Sequence, residues 1–239
     1  MSESDHRTVL RQVVACALTG VAVFSLSSSS APGAASKAAA EITGFASVVD
    51  GDTIEISGQR IRLEGIDAPE SSQTCGRRWV GSWECGKAAS KALGALINGR
   101  QVDCQGLGAD TYNRTLAICW VNGTELNATQ VRSGMAWAFV KYSKNYVGLE
   151  AAAKLAEVGV WQGEAEAPWI FREKRWRTAE QAAPVGCAIK GNVTQNGQIY
   201  HMPWSPWYNK VKVEAARGER WFCSEAEAQK AGWRASQSH

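Results

Sequence analysis

The sequence predicts an α+β chain: a small mixed β-barrel carrying three helices, followed by a small disulfide-clamped module. Three observations predict it. Apolar residues alternate through residues 48–63; they recur at helical spacing in three later segments, each stopped by a glycine; and six of the seven cysteines lie beyond residue 40. At 239 residues, 45% hydrophobic and 21% charged, the chain has room for one domain of usual size plus extras. A net charge of +3 is mild, so affinity for a polyanion has to come from a local site rather than from a global field.

Residues 1–40 read as a signal peptide. Arg7 and Arg11 precede an apolar run at 13–26 that is too short to span a bilayer comfortably, and SSSSAPGAASKAAA offers cleavage after Ala35 or Ala40, an uncleaved anchor being the alternative. Cys16 lies inside the apolar run without the preceding apolar stretch a lipidation site needs. Next comes a β-hairpin. Ile54 and Ile56 share one face, Ser57-Gly58 turns, and Ile61 and Leu63 resume the period, which sends Arg62 to the opposite face. Asp50-Gly51 marks a bend that turns Asp52 towards the same region. Residues 65–70, GIDAPE, leave the strand, with Pro69 holding Ala68 extended. The loop at 71–85 carries Arg77, Arg78, Trp79 and Trp83; its indoles are expected to pack under the loop, the alternative being that they and the basic groups hold a single strand by stacking and phosphate contacts.

A helix follows from Gly86, with Ala89, Leu93, Leu96 and Ile97 on one face and Asn98-Gly99 as its stop. Strands are expected at 101–105 and 115–121 around DTYNR, a turn at Asn122-Gly123, and a short helix at 125–133. The last helix puts Leu149, Ala152, Ala153 and Ala156 on one stripe, ends at Gly159 and is capped by Val160-Trp161. REKRWR, 172–177, reads as a solvated face ending the domain. TAEQAAPV, 178–185, is a polar linker, and 186–239 form the second module, with Asn-Gly and Arg-Gly turns and a helix opened by the Ser224-x-x-Glu227 capping box. That unit is too small to hold itself with a core alone.

The chemistry sits on the hairpin and just beyond it. Asp52, Asp67 and the Ala68 carbonyl form an oxygen-only ligand set that suits a hard cation such as calcium, and Glu70 suits a general base on water. Arg62 and Arg114 supply two guanidiniums able to grip the equatorial oxygens of a phosphodiester as their charge grows. These residues are the raw material of metal-assisted phosphodiester cleavage.

VVDGDTIEI, RIRLEGIDAPE, DTYNRTLAICWVNGTELN and GVWQG resemble, in order and spacing, the staphylococcal nuclease family, over roughly residues 42–177. The resemblance implies a five-stranded OB-type barrel, a domain at 41–177, calcium ligands at Asp52, Asp67 and Ala68, and catalytic roles for Arg62, Glu70 and Arg114. It also implies a nucleotide-packing tyrosine, for which Tyr142 is the match; Lys141 and Tyr112 join it as substrate-binding candidates. Two departures stand out. Ala68 replaces threonine, which costs little if only the carbonyl binds metal, and Asn113 replaces glycine, tolerable because Asn accepts positive φ.

In an exported chain an even set of cysteines points to disulfides, and nearest-neighbour pairing gives Cys75–Cys85, Cys104–Cys119 and Cys187–Cys223. Zinc would need close CxxC pairs that this sequence lacks. Trp204, Trp207, Trp221 and Trp233 are expected to fill the core of the tail, and His201 to be a hydrogen-bonded core histidine. The tail resembles modules appended to exported α-proteobacterial nucleases, including proteins connected with succinoglycan biosynthesis, although MPWSPWYNKV departs from their usual tract. The expectation is a secreted or periplasmic, calcium-dependent nuclease acting on DNA and RNA as a monomer. The alternatives are a nucleic-acid-binding barrel without turnover and an accessory protein that contacts polysaccharide through the tail.

Overall fold

The β-branched alternation closes the hairpin of β2 (Thr53–Ile56) and β3 (Gln59–Leu63), with Ser57 and Gly58 both at positive φ in the turn. The computed structural model describes residues 40–236, which lie within one compact unit. Apart from Ala40, the expected signal peptide lies outside the described residues.

β1 (Glu41–Val48) pairs with β2 on one side and with β4 (Gln101–Ala109) on the other, and β4 pairs with β5 (Thr115–Val121). A parallel pairing of β3 with β5, Ile61 opposite Thr115 and Leu63 opposite Ala117, closes the five strands into a barrel. Its interior is the apolar set the alternation selects: Ile54, Ile56, Ile61, Leu63, Val102 and Val121 are buried. β4 runs four residues beyond the expected 101–105 because a register shift at Gly106–Gly108 bends the strand and lets it follow the barrel wall.

Three helices pack on this barrel: α1 (Cys85–Ile97), α2 (Leu126–Arg132) and α3 (Val147–Leu155). Asn98 in the left-handed region stops α1 as expected. In α3 the expected stripe is narrower: Ala153 is buried and Leu149 packs on the core, while Ala152 and Ala156 face solvent. Two buried amides lock the assembly. Asn127 donates to the carbonyls of Glu64 and Ala117 at 2.9 and 3.2 Å, and Gln130 donates to those of Gly51 and Ala89 at 2.8 and 3.1 Å.

Residues 168–182 form a fourth helix, α4 (Pro168–Ala182), so most of the expected linker at 178–185 completes its last turns. The tail folds as a four-stranded sheet ordered β8 (Arg220–Phe222), β6 (Ile189–Thr194), β7 (Gly197–His201), β9 (Arg234–Ala235), with α5 (Glu225–Lys230) capped by Ser224 Oγ. Ile189, Tyr200, Phe222, Ala228 and Trp233 make its core, and Trp176 of α4 packs against them. Of the four tail tryptophans expected to fill this core only Trp233 lies in it: Trp204 and Trp221 are half-buried outside it and Trp207 is 39% exposed, while α4 contributes Trp176. All three nearest-neighbour disulfides are present; Cys104 and Cys119 lie directly opposite each other on β4 and β5.

Candidate active site

The bend at residues 50–52 is fixed before any ligand is considered. The amide of Asp52 donates to Asp50 Oδ1 at 3.0 Å, those of Val49 and Asp50 donate to the Thr53 carbonyl, and Gln130 holds the Gly51 carbonyl. Asp52, buried, therefore points across the mouth of the hairpin: its Oδ2 accepts the Ala68 amide at 2.8 Å and its Oδ1 accepts Arg62 and Thr53 Oγ1. Arg62 lies opposite Thr53 on β3 and spans two acids, bonding Asp52 with one terminal nitrogen and Asp67 Oδ1 with the other at 2.9 Å. Asp67 is held in place by a two-residue pairing in which it lies opposite Trp137. Burial pushes the Asp52 carboxyl above its usual range, the Arg62 charge opposing it.

Glu70 lies three residues beyond Asp67, after Pro69 and outside any helix or strand. Its amide donates to Gln73 Oε1 at 3.2 Å, and α1 begins directly against it: a Cβ on Gly86 would lie 1.7 Å from the Glu70 carbonyl oxygen, so only glycine permits that approach. Burial pushes the Glu70 carboxyl up to about 7, with Arg172 pulling the other way. Arg172 is the residue sequence reasoning missed. In REKRWR, Glu173, Lys174, Arg175 and Arg177 face solvent as expected, but Arg172 turns inward from α4 and donates to Asp67 Oδ1 and Oδ2 at 3.1 and 2.7 Å and to Glu70 Oε1 at 2.7 Å. Pro168, Arg172, Trp176 and Ala179 recur at helical spacing, and that stripe was the available signal.

A cleft of about 540 Å³ opens above these groups, lined by Asp50, Asp52, Arg62, Glu70, Arg114 and Arg172. Arg114 reaches it from the DTYNR turn, where Asp110 grips its guanidinium at 2.7 Å and Asn113 adopts φ 59°, the conformation expected of it. Tyr112 and the 62%-exposed Tyr142 line the same cleft; Lys141 does not, lying instead over the Tyr142 ring. Of the two loop indoles, Trp83 packs as expected and donates to the Gly76 carbonyl, whereas Trp79 is 85% exposed at the loop tip. In the tail His201 is buried, but neither ring nitrogen finds a hydrogen-bond partner, contrary to expectation.

Among the described residues no three His, Cys, Asp or Glu side chains converge as a ready-made metal cage. The available donors are the carboxylates of Asp52 and Asp67 and the neighbouring Ala68 carbonyl. They are hard oxygens, and Asp67 already holds a positive charge, the Arg172 guanidinium, on both of its oxygens. The donor set thus fits a hard cation, provided Arg172 gives way.

Comparison with known proteins agrees with this geometry. A family model described as staphylococcal nuclease homologue matches residues 60–163, and one described as ArfC matches residues 176–235. A succinoglycan biosynthesis protein, ExoI, of Rhizobium meliloti is 36% identical over 132 residues, covering 54% of this chain and 69% of the relative. A micrococcal nuclease of Shigella flexneri is 31% identical over 154 residues, 57% and 80% of the two chains. An uncharacterized endonuclease of Haemophilus influenzae is 32% identical over 141 residues, 56% and 71%. A closed five-stranded barrel with acids and arginines gathered at its mouth, together with relatives matched over most of their length, makes this chain a member of the staphylococcal nuclease family and a nuclease, a hydrolase of phosphodiester bonds.

Proposed function

We propose that the chain is an exported, calcium-dependent nuclease that cleaves DNA and RNA by attack of water on phosphorus. The observation that carries this reading is the meeting of Asp52, Arg62 and Glu70 in one cleft that Arg114 also lines, with Asp67 buried beside it and bonded to Arg62. Asp52, Asp67 and the Ala68 carbonyl would hold the ion, which when bound supplies positive charge beside the phosphate. Glu70 takes a proton from water as the water oxygen bonds to phosphorus. The bond from phosphorus to the leaving oxygen breaks, and the growing charge on the equatorial oxygens is matched by Arg62 and Arg114.

Arg62 suits that task because it is already oriented. Bonds to Asp52, Asp67 and the Ile66 carbonyl fix its plane, and no rotamer search is left for the moment of reaction. Glu70 suits a base because burial brings its proton affinity near neutrality, where a base is both ionised and able to accept. Export is supported by the three disulfides, which persist in oxidising compartments. The test is hydrolysis of DNA and of RNA by the purified mature chain, with calcium and with chelator. Activity on both that vanishes in chelator and returns with calcium is expected; full turnover in excess chelator would overturn the ion's role. Asp67→Asn should lower calcium affinity and turnover together.

A further inference from the structure

The cleft does not end at the barrel. Its facing wall is built by the tail, from Met202, Trp204, Ser205 and Pro206 in the segment that leaves β7. That segment is fastened on both sides. Ser72 Oγ, two residues after Glu70, donates to the Trp204 carbonyl at 2.5 Å, and the Trp204 ring lies 6.3 Å from that of Trp176 on α4. Within the tail, Ser205 Oγ and Ser236 Oγ are 3.3 Å apart, Met202 packs on the module core, and Tyr208 just beyond is buried with its hydroxyl on the Ala188 carbonyl at 2.6 Å. The wall is held in place by the same helix that delivers Arg172.

The cleft between the walls has the size of a pocket for one small ligand, with arginines and acids on its floor and rings on both sides: Tyr112, Phe139 and Tyr142 from the barrel, Trp204 from the tail. Aromatic faces on either side of a phosphate-binding floor suit bases that are free to stack on protein, and every base has such a face. In a duplex those faces are already spent on neighbouring bases.

We propose that the C-terminal module forms part of the substrate site, and that Trp204 is a specificity-determining residue that stacks a base of a single strand next to the scissile phosphate. The proposal rests on the catalytic assignment above and adds to it a role for the tail.

The experiment uses the full mature chain and three substrates: a single-stranded oligonucleotide, its duplex, and bis(4-nitrophenyl) phosphate. Wild type should favour the single strand over the duplex. Trp204→Ala should lower kcat/KM on the single strand about 5- to 150-fold, mostly through KM. Trp204→Phe should restore most of the loss. An unchanged preference for single strand in a folded Trp204→Ala chain overturns the proposal, as does equal cleavage of both forms by wild type. If Trp204→Ala does not fold, hydrogen exchange on the wild type in chelator decides: an uncleaved single strand should protect the amides of Met202, Trp204 and Ser205 and the duplex should not, and absence of that protection refutes the wall. Failure of wild type on the small diester alongside protection of those amides would fault the catalytic assignment and leave the wall standing.

Discussion

Replacing Arg172 with alanine perturbs the site in two measurable and opposite ways. In chelator, Asp67, with a fully buried side chain, loses two hydrogen bonds and keeps Arg62 as its cation, and Glu70 loses its ion pair with Arg172. Removing one partner of a buried charge pair costs about 3–5 kcal/mol. The Arg172 side chain is 24% exposed and part of that cost is screened, so about 2–4 kcal/mol is expected here. For a domain of this size each kcal/mol moves Tm by about 2–4 °C, so the variant should melt roughly 5–15 °C lower without metal. With calcium the sign reverses. On the proposed ligand set the ion competes with Arg172 for Asp67, and sparing that release, worth about 1–3 kcal/mol, should tighten calcium binding roughly 5- to 150-fold. Calorimetric titration of calcium into metal-free protein, with melting curves in chelator and in excess calcium, measures both effects. An Arg172→Ala chain that binds calcium no tighter than wild type and melts normally in chelator would refute the reasoning: Arg172 would then neither neutralise the acids nor compete for them.

Glu70→Gln and Arg114→Ala should each still fold and lower kcat by about 10²–10⁴, and for Arg114→Ala the loss in turnover should far exceed the loss in binding of an uncleavable nucleotide; wild-type turnover in either folded variant would break the mechanism. Stability of the metal-free protein carries a pH signature. Glu70 binds its proton more tightly in the fold, at about 7, than at its ordinary 4.5, so its contribution is fully present below about pH 4.5 and is lost as pH rises through 7. The Tm of Glu70→Gln minus that of wild type, measured in chelator, should therefore grow between pH 5 and 7, and a flat difference would contradict the burial argument. The native chain should show no free thiol among its six bridged cysteines, and reduction should lower Tm while leaving the acids and arginines of the site intact; two or more titratable thiols would contradict the pairing.

What could be read from the sequence was local. The hairpin and the placement of Arg62 opposite Thr53 follow from a period of two and one Ser-Gly turn, and the three disulfides join cysteines that are neighbours along the chain. What stayed hidden was distant. Arg172 meets Asp67 across 105 positions, in a run where nearly every residue is charged and composition alone cannot say which side chain turns inward. Asn127 and Gln130 hide for a related reason: on a short helix an amide reads as polar surface, and only the assembled barrel shows the backbone carbonyls of Gly51, Glu64, Ala89 and Ala117 that they satisfy. α4 explains why the two halves of the chain resist separate description. Pro168, Arg172, Trp176 and Ala179 share one face, and each meets a different requirement: Pro168 opens the helix, Arg172 neutralises the acids, Trp176 joins the module core, and Ala179 packs with Ala188 and Tyr208. A segment read as a solvated end and a linker thus carries, one helical turn apart, both the guanidinium that meets Asp67 and Glu70 and the indole that packs on the module core and beside Trp204.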